Sequence, residues 1–293
     1  MQNLIDNLKP KWNSFKESMY LLARNKLSLT AFAIIILLVF SAVFAPAIVP
    51  NPEDVYSTHI ENKLQPPSAE HIMGTDDLGR DVFSRVVYAT RISVSTALIA
   101  VAVALLIGIP LGAIAGAFGG RIDNVIMRIT DIFLSFPPLL LAIALVALLG
   151  SGLRNAIIAI VVSWWPWYTR LVRGQAISIK ERKFVQAAET IGTSKAKIIF
   201  RHIIPNCISP VIVQASMDIG GVIMTVASLS FLSLGAQQPT PEWGLMISEG
   251  RAYFPDKWWC CIFPGIAIFL TVLCFNLLGD AIREILDPKT RKR

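Results

Sequence analysis

Long apolar runs alternate with shorter polar stretches along this chain. Six runs approach or exceed the ~20 residues that cross a bilayer core. They cover about 27–48, 93–118, 129–149, 155–172, 208–234 and 262–282. The pattern predicts an all-α polytopic membrane protein with six transmembrane helices. The first run follows a charged lead-in, is too long for a secretory h-region and lacks a small-x-small cleavage site, so it is expected to be a span and not a cleaved signal. In residues 1–26, Leu4, Leu8, Trp12, Phe15 and Met19 repeat at three or four among Lys9, Lys11, Lys16, Arg24 and Lys26. That reads as an amphipathic helix resting on the inner membrane surface, or, over the first ten residues, as a loosely ordered basic tail.

Between the fourth and fifth runs the period changes. Phe184, Val185, Ala188 and Ile191 recur at helical spacing, and so do Ala196, Ile199, Phe200 and Ile203. Gly192 separates the two sets and suits a chain reversal at positive φ. Pro205 then stands at the start of the next span. The segment predicts helix, glycine turn, helix, displayed on one side of the membrane. An ordinary amphipathic surface helix is the plain alternative.

Composition fixes the sidedness. Of 293 residues, 54% are hydrophobic and 16% charged, with a mean hydropathy of +0.58. The net charge of +7 would suit nucleic acid, but its placement argues for topology instead. With both termini and the Gly192 loop inside, 20 of the 27 Lys and Arg are cytosolic and 10 of the 20 acids lie outside. Reversal would violate the positive-inside tendency. The organisation read from this is a basic cytosolic lead-in (1–26), a first span (27–48), an extracytoplasmic segment (49–92), a five-helix core (93–283) with a cytosolic loop at 174–206, and a basic tail (284–293).

Several stretches carry candidate chemistry. Gly74–Arg85 packs Asp76, Asp77 and Asp81 with Arg80 and Arg85 around two glycines. Arginines among the acids and the lack of a bidentate Glu exclude a calcium loop; a structural clamp or a docking element on the outer face remains. Gly108, Pro110, Gly112 and Gly116 suit close helix packing in lipid. Asp131 falls three residues after Arg128, at pairing distance on a helix. Ser135-Phe-Pro137-Pro138 breaks its span, and such breaks survive only inside protein or along a cavity, so Ser135 and Pro137 are candidates for the translocation path. Gln214 and Asp218 are too, because an ionisable group at mid-span is a functional candidate by default; a bond to a neighbouring helix is the structural alternative. Ser163-Trp-Trp-Pro-Trp-Tyr168 reads as an aromatic belt at the inner interface or as a ligand cage.

No phosphate-binding loop, zinc-protease motif or nucleophile elbow is present. His59, His71 and His202 give no ligand set, and no metal site is expected. Cys207 and Cys274 read as packing residues, while Cys260 and Cys261 are adjacent near the outer end of the last run.

Three separated motifs carry a resemblance. Gln186-Ala187-Ala188, Gly192 and Ile204-Pro205 resemble the Glu-Ala-Ala loop of ABC importer permeases, with Gln in place of the usual Glu. Gly74-Thr-Asp-Asp-Leu-Gly-Arg-Asp81 resembles the signature of the branch importing dipeptides, oligopeptides and nickel, and Pro239-Thr-Pro-Glu-Trp-Gly244 resembles another of its segments. The resemblance implies the ABC importer permease fold in a multi-pass inner-membrane protein, the second, C-type subunit. It further implies a heterodimer with a homologous permease, one or two ABC ATPases that use ATP and Mg, an extracytoplasmic substrate-binding protein, and no cofactor on this chain. Gln186, Ala187, Ala188, Glu189, Gly192, Thr193 and Pro205 would then form the ATPase-coupling loop. Di- or oligopeptides are the leading substrate class, and nickel or a nickel chelate is the alternative. An ion-gradient-driven secondary transporter is the reading of a different class. It lacks the internal repeats and multiple buried acids expected of such carriers.

Overall fold

The computed structural model describes residues 25–49 and 52–286. The 1–24 lead-in and the 287–293 tail lie outside the described residues. Helix α1, Lys26–Ile48, starts at Asn25, whose side chain accepts from the Leu27 and Ser28 amides. Two short 3₁₀ turns follow, Pro52–Val55 and Ile60–Asn62. Helix α2, Val82–Phe118, has 37 residues, about 55 Å at ~1.5 Å per residue. It begins eleven residues before the apolar run that announces it. Its first turns bury Ser84, Arg85, Thr90 and Ser93 in protein contacts, so hydropathy does not mark them as helix.

Helices α3, Gly120–Leu134, and α4, Pro138–Leu149, meet at a bend of 86°. Pro138 takes the first helical position, where its missing N–H costs nothing. The 12 residues of α4 rise only about 18 Å, short of a ~30 Å hydrocarbon core. The third expected span is therefore a broken element. Helix α5, Leu153–Lys180, runs eight residues past the expected end of its span. Helix α6, Lys183–Thr190, and helix α7, Lys195–Phe231, flank Gly192. Helix α8, Trp243–Gly250, leads to helix α9, Trp259–Leu286.

Among the described residues, α1, α2, α7 and α9 are long and apolar enough to cross a membrane, and the bent α3–α4 pair adds a fifth if its two helices form one span. Helix α5 matches their length, but Arg154, Arg170 and Arg173 lower its hydropathy. The chain alternates ends with each crossing. Gly152, before α5, donates to the Leu234 carbonyl beyond α7, so those two ends lie together.

Close packing of α2 on α5 organises the bundle. A Cβ at Gly108 would sit 2.6 Å from Tyr168 Cβ, one at Gly112 2.4 Å from Thr169 O, and one at Gly116 2.6 Å from Ala176 Cβ. Only glycine allows the two backbones to approach this far, which is the lipid-phase substitute for a hydrophobic driving force. The main core joins α2, α5, α7 and α9 through residues such as Ala97, Ala104, Ile160, Val226 and Phe275. A second cluster of Val172, Ile179, Val185, Ile198, Ile203 and Cys207 lies beneath the Gly192 loop. All four cysteines are free thiols, and Cys207, Cys260 and Cys274 are buried.

Candidate functional site

The Gly192 loop is built by a helix-end motif. Gly192 adopts φ +80°; its amide donates to Glu189 O at 3.0 Å, and the Thr193 amide donates to Ala188 O at 3.0 Å. These are the paired bonds of a Schellman cap, which satisfies carbonyls that the end of α6 leaves free. Val185 and Ala188 are buried and anchor α6, whereas Gln186, Ala187, Glu189 and Gly192 are exposed and Thr193 is half-buried. The expected apolar face is split: Ile198, Ile199 and Ile203 turn inward, but Ile191 is 82%, Phe200 69% and Phe184 43% exposed. The helical period alone could not separate these faces, since α6 has only two turns and the chain reverses after it. Pro205 does not interrupt the helix. The backbone widens to a π turn over Ile199–Ile203, where the Ile204 amide reaches back to Ile199 O. This relieves the clash and missing donor that proline brings.

A second feature lies at mid-bundle. Trp164, Trp167, Arg170, Leu171, Gln214 and Asp218 line a cavity of about 460 Å³ between α5 and α7. Gln214 Nε2 donates to Asp218 Oδ1 at 2.9 Å. The hydroxyl of Tyr168, a fully buried side chain, neighbours the Asp218 carboxylate. The Trp-rich run sits near the middle of α5, and two of its indoles, Trp164 and Trp167, line the cavity. Ser135 and Pro137 lie exposed at the α3–α4 bend and are not among the lining residues. Asp131 pairs with Arg170 of α5 instead of Arg128, and Asp123 takes Arg173 through two bonds, at 2.5 and 2.7 Å. Both acids of α3 therefore tie it to α5. No local spacing rule reveals such a cross-helix pairing.

The Gly74–Arg85 segment forms the third feature, at the opposite end from Gly192. Asp76 Oδ1 accepts from the Leu78 and Arg80 amides, both at 2.9 Å. Its Oδ2 accepts from Arg80 Nε and Arg85 Nη1, both at 2.7 Å. Glu249 of α8, which sequence reading did not single out, completes the network: its Oε2 lies 3.1 Å from Arg80 Nη2 and 3.2 Å from Arg85 Nη2. Both guanidiniums are at most 1% exposed. Asp81 pairs with neither arginine; it caps α2 by accepting from the Ser84 amide and hydroxyl, both at 2.7 Å, and faces His71 Nδ1 at 3.0 Å. Asp77 reaches Arg80 only at 4.0 Å. Burial pushes the Asp77 and Glu249 carboxyls above their usual range; the neighbouring Asp76 raises Asp77 further, while Arg85 and Arg80 pull Glu249 down less than burial raises it. Asp76, Asp77 and Glu249 offer oxygens close enough for a cation, but two buried guanidiniums already occupy that charge environment.

The same end is locked by α8. Glu242 is fully buried, caps α8 through the Leu245 amide at 2.9 Å and accepts from Ser93 of α2 at 3.1 Å. Trp243 donates to Val86 O at 3.1 Å, and a Cβ at Gly244 would strike Ala227 O at 2.1 Å. Asp76, Arg80 and Asp81 of this segment are buried and bonded within the fold.

Spanning helices, a broken third crossing and a capped helix–turn–helix between α5 and α7 define a membrane permease fold. Residues 108–292 match the family described as binding-protein-dependent transport system inner membrane component, and residues 14–67 match the N-terminal TM domain of oligopeptide transport permease C. This chain belongs to that permease family and is a multi-pass inner-membrane transport subunit. It is 46% identical to the dipeptide transport system permease protein DppC of Alkalihalophilus pseudofirmus, over 94% of this chain and 90% of that protein. It is 47% identical to the probable D,D-dipeptide transport system permease protein DdpC of Escherichia coli K12, over 92% and 90%. It is 44% identical to the glutathione transport system permease protein GsiD of Escherichia coli O157:H7, over 98% and 93%. Among solved structures, it is similar to the inward-facing MetNI methionine ABC transporter (TM-score 0.57, 17% identity, 70% of this chain and 97% of that one). At that identity the likeness shows the fold alone.

Proposed function

We propose that this chain is one of two membrane subunits of an ATP-driven importer, that it pairs with a homologous permease, and that the pair carries di- or oligopeptides delivered by an external binding protein. Its relatives are named for dipeptide and glutathione transport. The observation that carries the ATP-driven part is the Gly192 loop. A capped two-turn helix leaves Phe184, Ile191 and Phe200 outward, with Gln186 and Glu189 beside them. Exposed apolar side chains rimmed by polar ones mark a protein contact, and the charge bias puts this loop on the cytosolic side, where ATPases work. Separate ATPase subunits, one or two in kind, would bind ATP and Mg; this chain holds no cofactor. Closure of the ATPases would move the loop as a rigid lever on α5 and α7.

The path would run past Asp218 and Gln214. The lining residues of that cavity include one carboxylate and no His or Cys, a poor donor set for bare nickel. The test is uptake of labelled dipeptide and of nickel by vesicles holding both permeases, the ATPases and the binding protein. Peptide uptake that requires ATP is expected. Nickel uptake alone would overturn the substrate class, and gradient-driven uptake without ATPases would overturn the coupling.

A further inference from the structure

The cavity between α5 and α7 has a feature that passage alone does not require: a carboxylate, Asp218, in a wall that includes two indoles. Asp218 lies ten residues into the apolar run 208–234 and sixteen from its end, about 15 and 24 Å along the helix. An ionised carboxylate at such depth is unfavourable facing lipid, so this face must meet water, ligand or a partner. Three groups of α5 and α7 surround it. Gln214 holds one oxygen. Arg170, the cation of the lining, is engaged by Asp131 and is not free to neutralise it. Tyr168, fully buried, sets its hydroxyl beside the carboxylate. Trp164 and Trp167, three residues apart on α5, complete the wall. A carboxylate flanked by indoles is an arrangement that favours an organic ammonium, through charge pairing and cation–π attraction. The cavity's 460 Å³ falls within the ~300–1,000 Å³ of small-ligand sites.

We infer that this cavity is a subsite for the free α-ammonium group of a peptide in transit, with Asp218 as its counter-ion and Trp164 and Trp167 as its aromatic walls. The inference rests on the proposed peptide substrate. A peptide α-amine, with a pKa of about 7.7–8.0, is mostly charged at pH 7, so acetylating it removes the feature the site reads without changing the rest of the molecule.

The assembled complex of both permeases and the ATPases, in nanodiscs without the binding protein, would be titrated with dialanine and with N-acetyl-dialanine at pH 7 while tryptophan fluorescence is followed. Half-saturation by dialanine is expected at no more than a tenth of the concentration that the acetylated peptide needs. Asp218→Asn should erase this discrimination, and Asp218→Glu, which restores the charge, should retain most of it. Equal half-saturation by the two peptides in the wild type, or undiminished discrimination in Asp218→Asn, would overturn the subsite. So would a response to nickel chloride that Asp218→Asn abolishes while dialanine gives none. ATP-driven dialanine uptake, measured on the same preparation with binding protein added, separates the two levels. Intact uptake without discrimination removes the subsite alone, whereas no uptake of any peptide removes the peptide reading and the subsite with it.

Discussion

Gly192 offers a perturbation whose size follows from backbone conformation alone. It holds φ +80°, and no atom outside its immediate neighbours lies within 4 Å of where an added Cβ would stand. Replacement therefore meets no steric obstacle from the fold, only the cost of a left-handed conformation, about 1–2 kcal/mol for an ordinary L-residue and less for Asn. Helix α6 has eight residues, fewer than the ~12–15 that approach independent stability. Its form thus depends on the two cap bonds and on the Val185 and Ala188 anchors. A loss of ~1.4 kcal/mol is a tenfold change in an equilibrium, so Gly192→Ala should lower ATP-driven uptake about tenfold if the formed turn is what the ATPase engages. Gly192→Val should lower it further, and Gly192→Asn should stay within about threefold of wild type. Uptake would be measured in proteoliposomes of the whole importer, with assembly checked by gel filtration. The bundle itself should unfold at nearly the wild-type temperature, because the turn lies outside the main core. Wild-type uptake by Gly192→Val, or equal losses in the Asn and Val variants, would refute the argument from backbone conformation.

Four further outcomes are expected. Arg85→Met leaves Glu249 and Asp76 with one guanidinium in a buried network and should destabilise the fold by about 3–5 kcal/mol, read by thermal unfolding in detergent. Gly112→Ala places a Cβ 2.4 Å from Thr169 O and 2.8 Å from Val172 Cβ, forcing α2 from α5 at a cost of about 1–3 kcal/mol in the same assay. Trp243→Phe removes the donor to Val86 O, but that carbonyl keeps Thr90 Oγ1 as a partner, so the loss should be that of one net hydrogen bond, about 0.5–1.5 kcal/mol. Asp77→Asn should stabilise slightly at pH 7, by about 0.5 kcal/mol. The Asp77 carboxyl is raised on folding, so its contribution is full below its unfolded pKa and is lost as pH rises through the folded one. The gain should vanish toward pH 4, and a lower unfolding temperature at pH 7 would contradict the assigned direction.

The sequence by itself determined what depends on local patterning. Apolar run length determined the membrane class and the all-helical fold, because a bilayer accepts few alternatives. The Ser135–Pro138 break, the Gly192 turn and the small-residue face of Gly108, Gly112 and Gly116 were legible because proline and glycine act on their own backbone. Only the tertiary structure decided which groups meet. Glu249 joins a buried ion network more than 160 positions away in the chain, Asp131 chooses Arg170 over its helical neighbour Arg128, and Trp164 and Trp167 come to line one cavity with Asp218. Helix ends escaped for a related reason: the first turns of α2 are polar side chains buried by partners, and the last turns of α5 run past its apolar stretch, so hydropathy marks neither. The sign and spacing of charges constrain neighbours within a turn or two. Beyond that, packing of α2, α5 and α7 determines which charges come together.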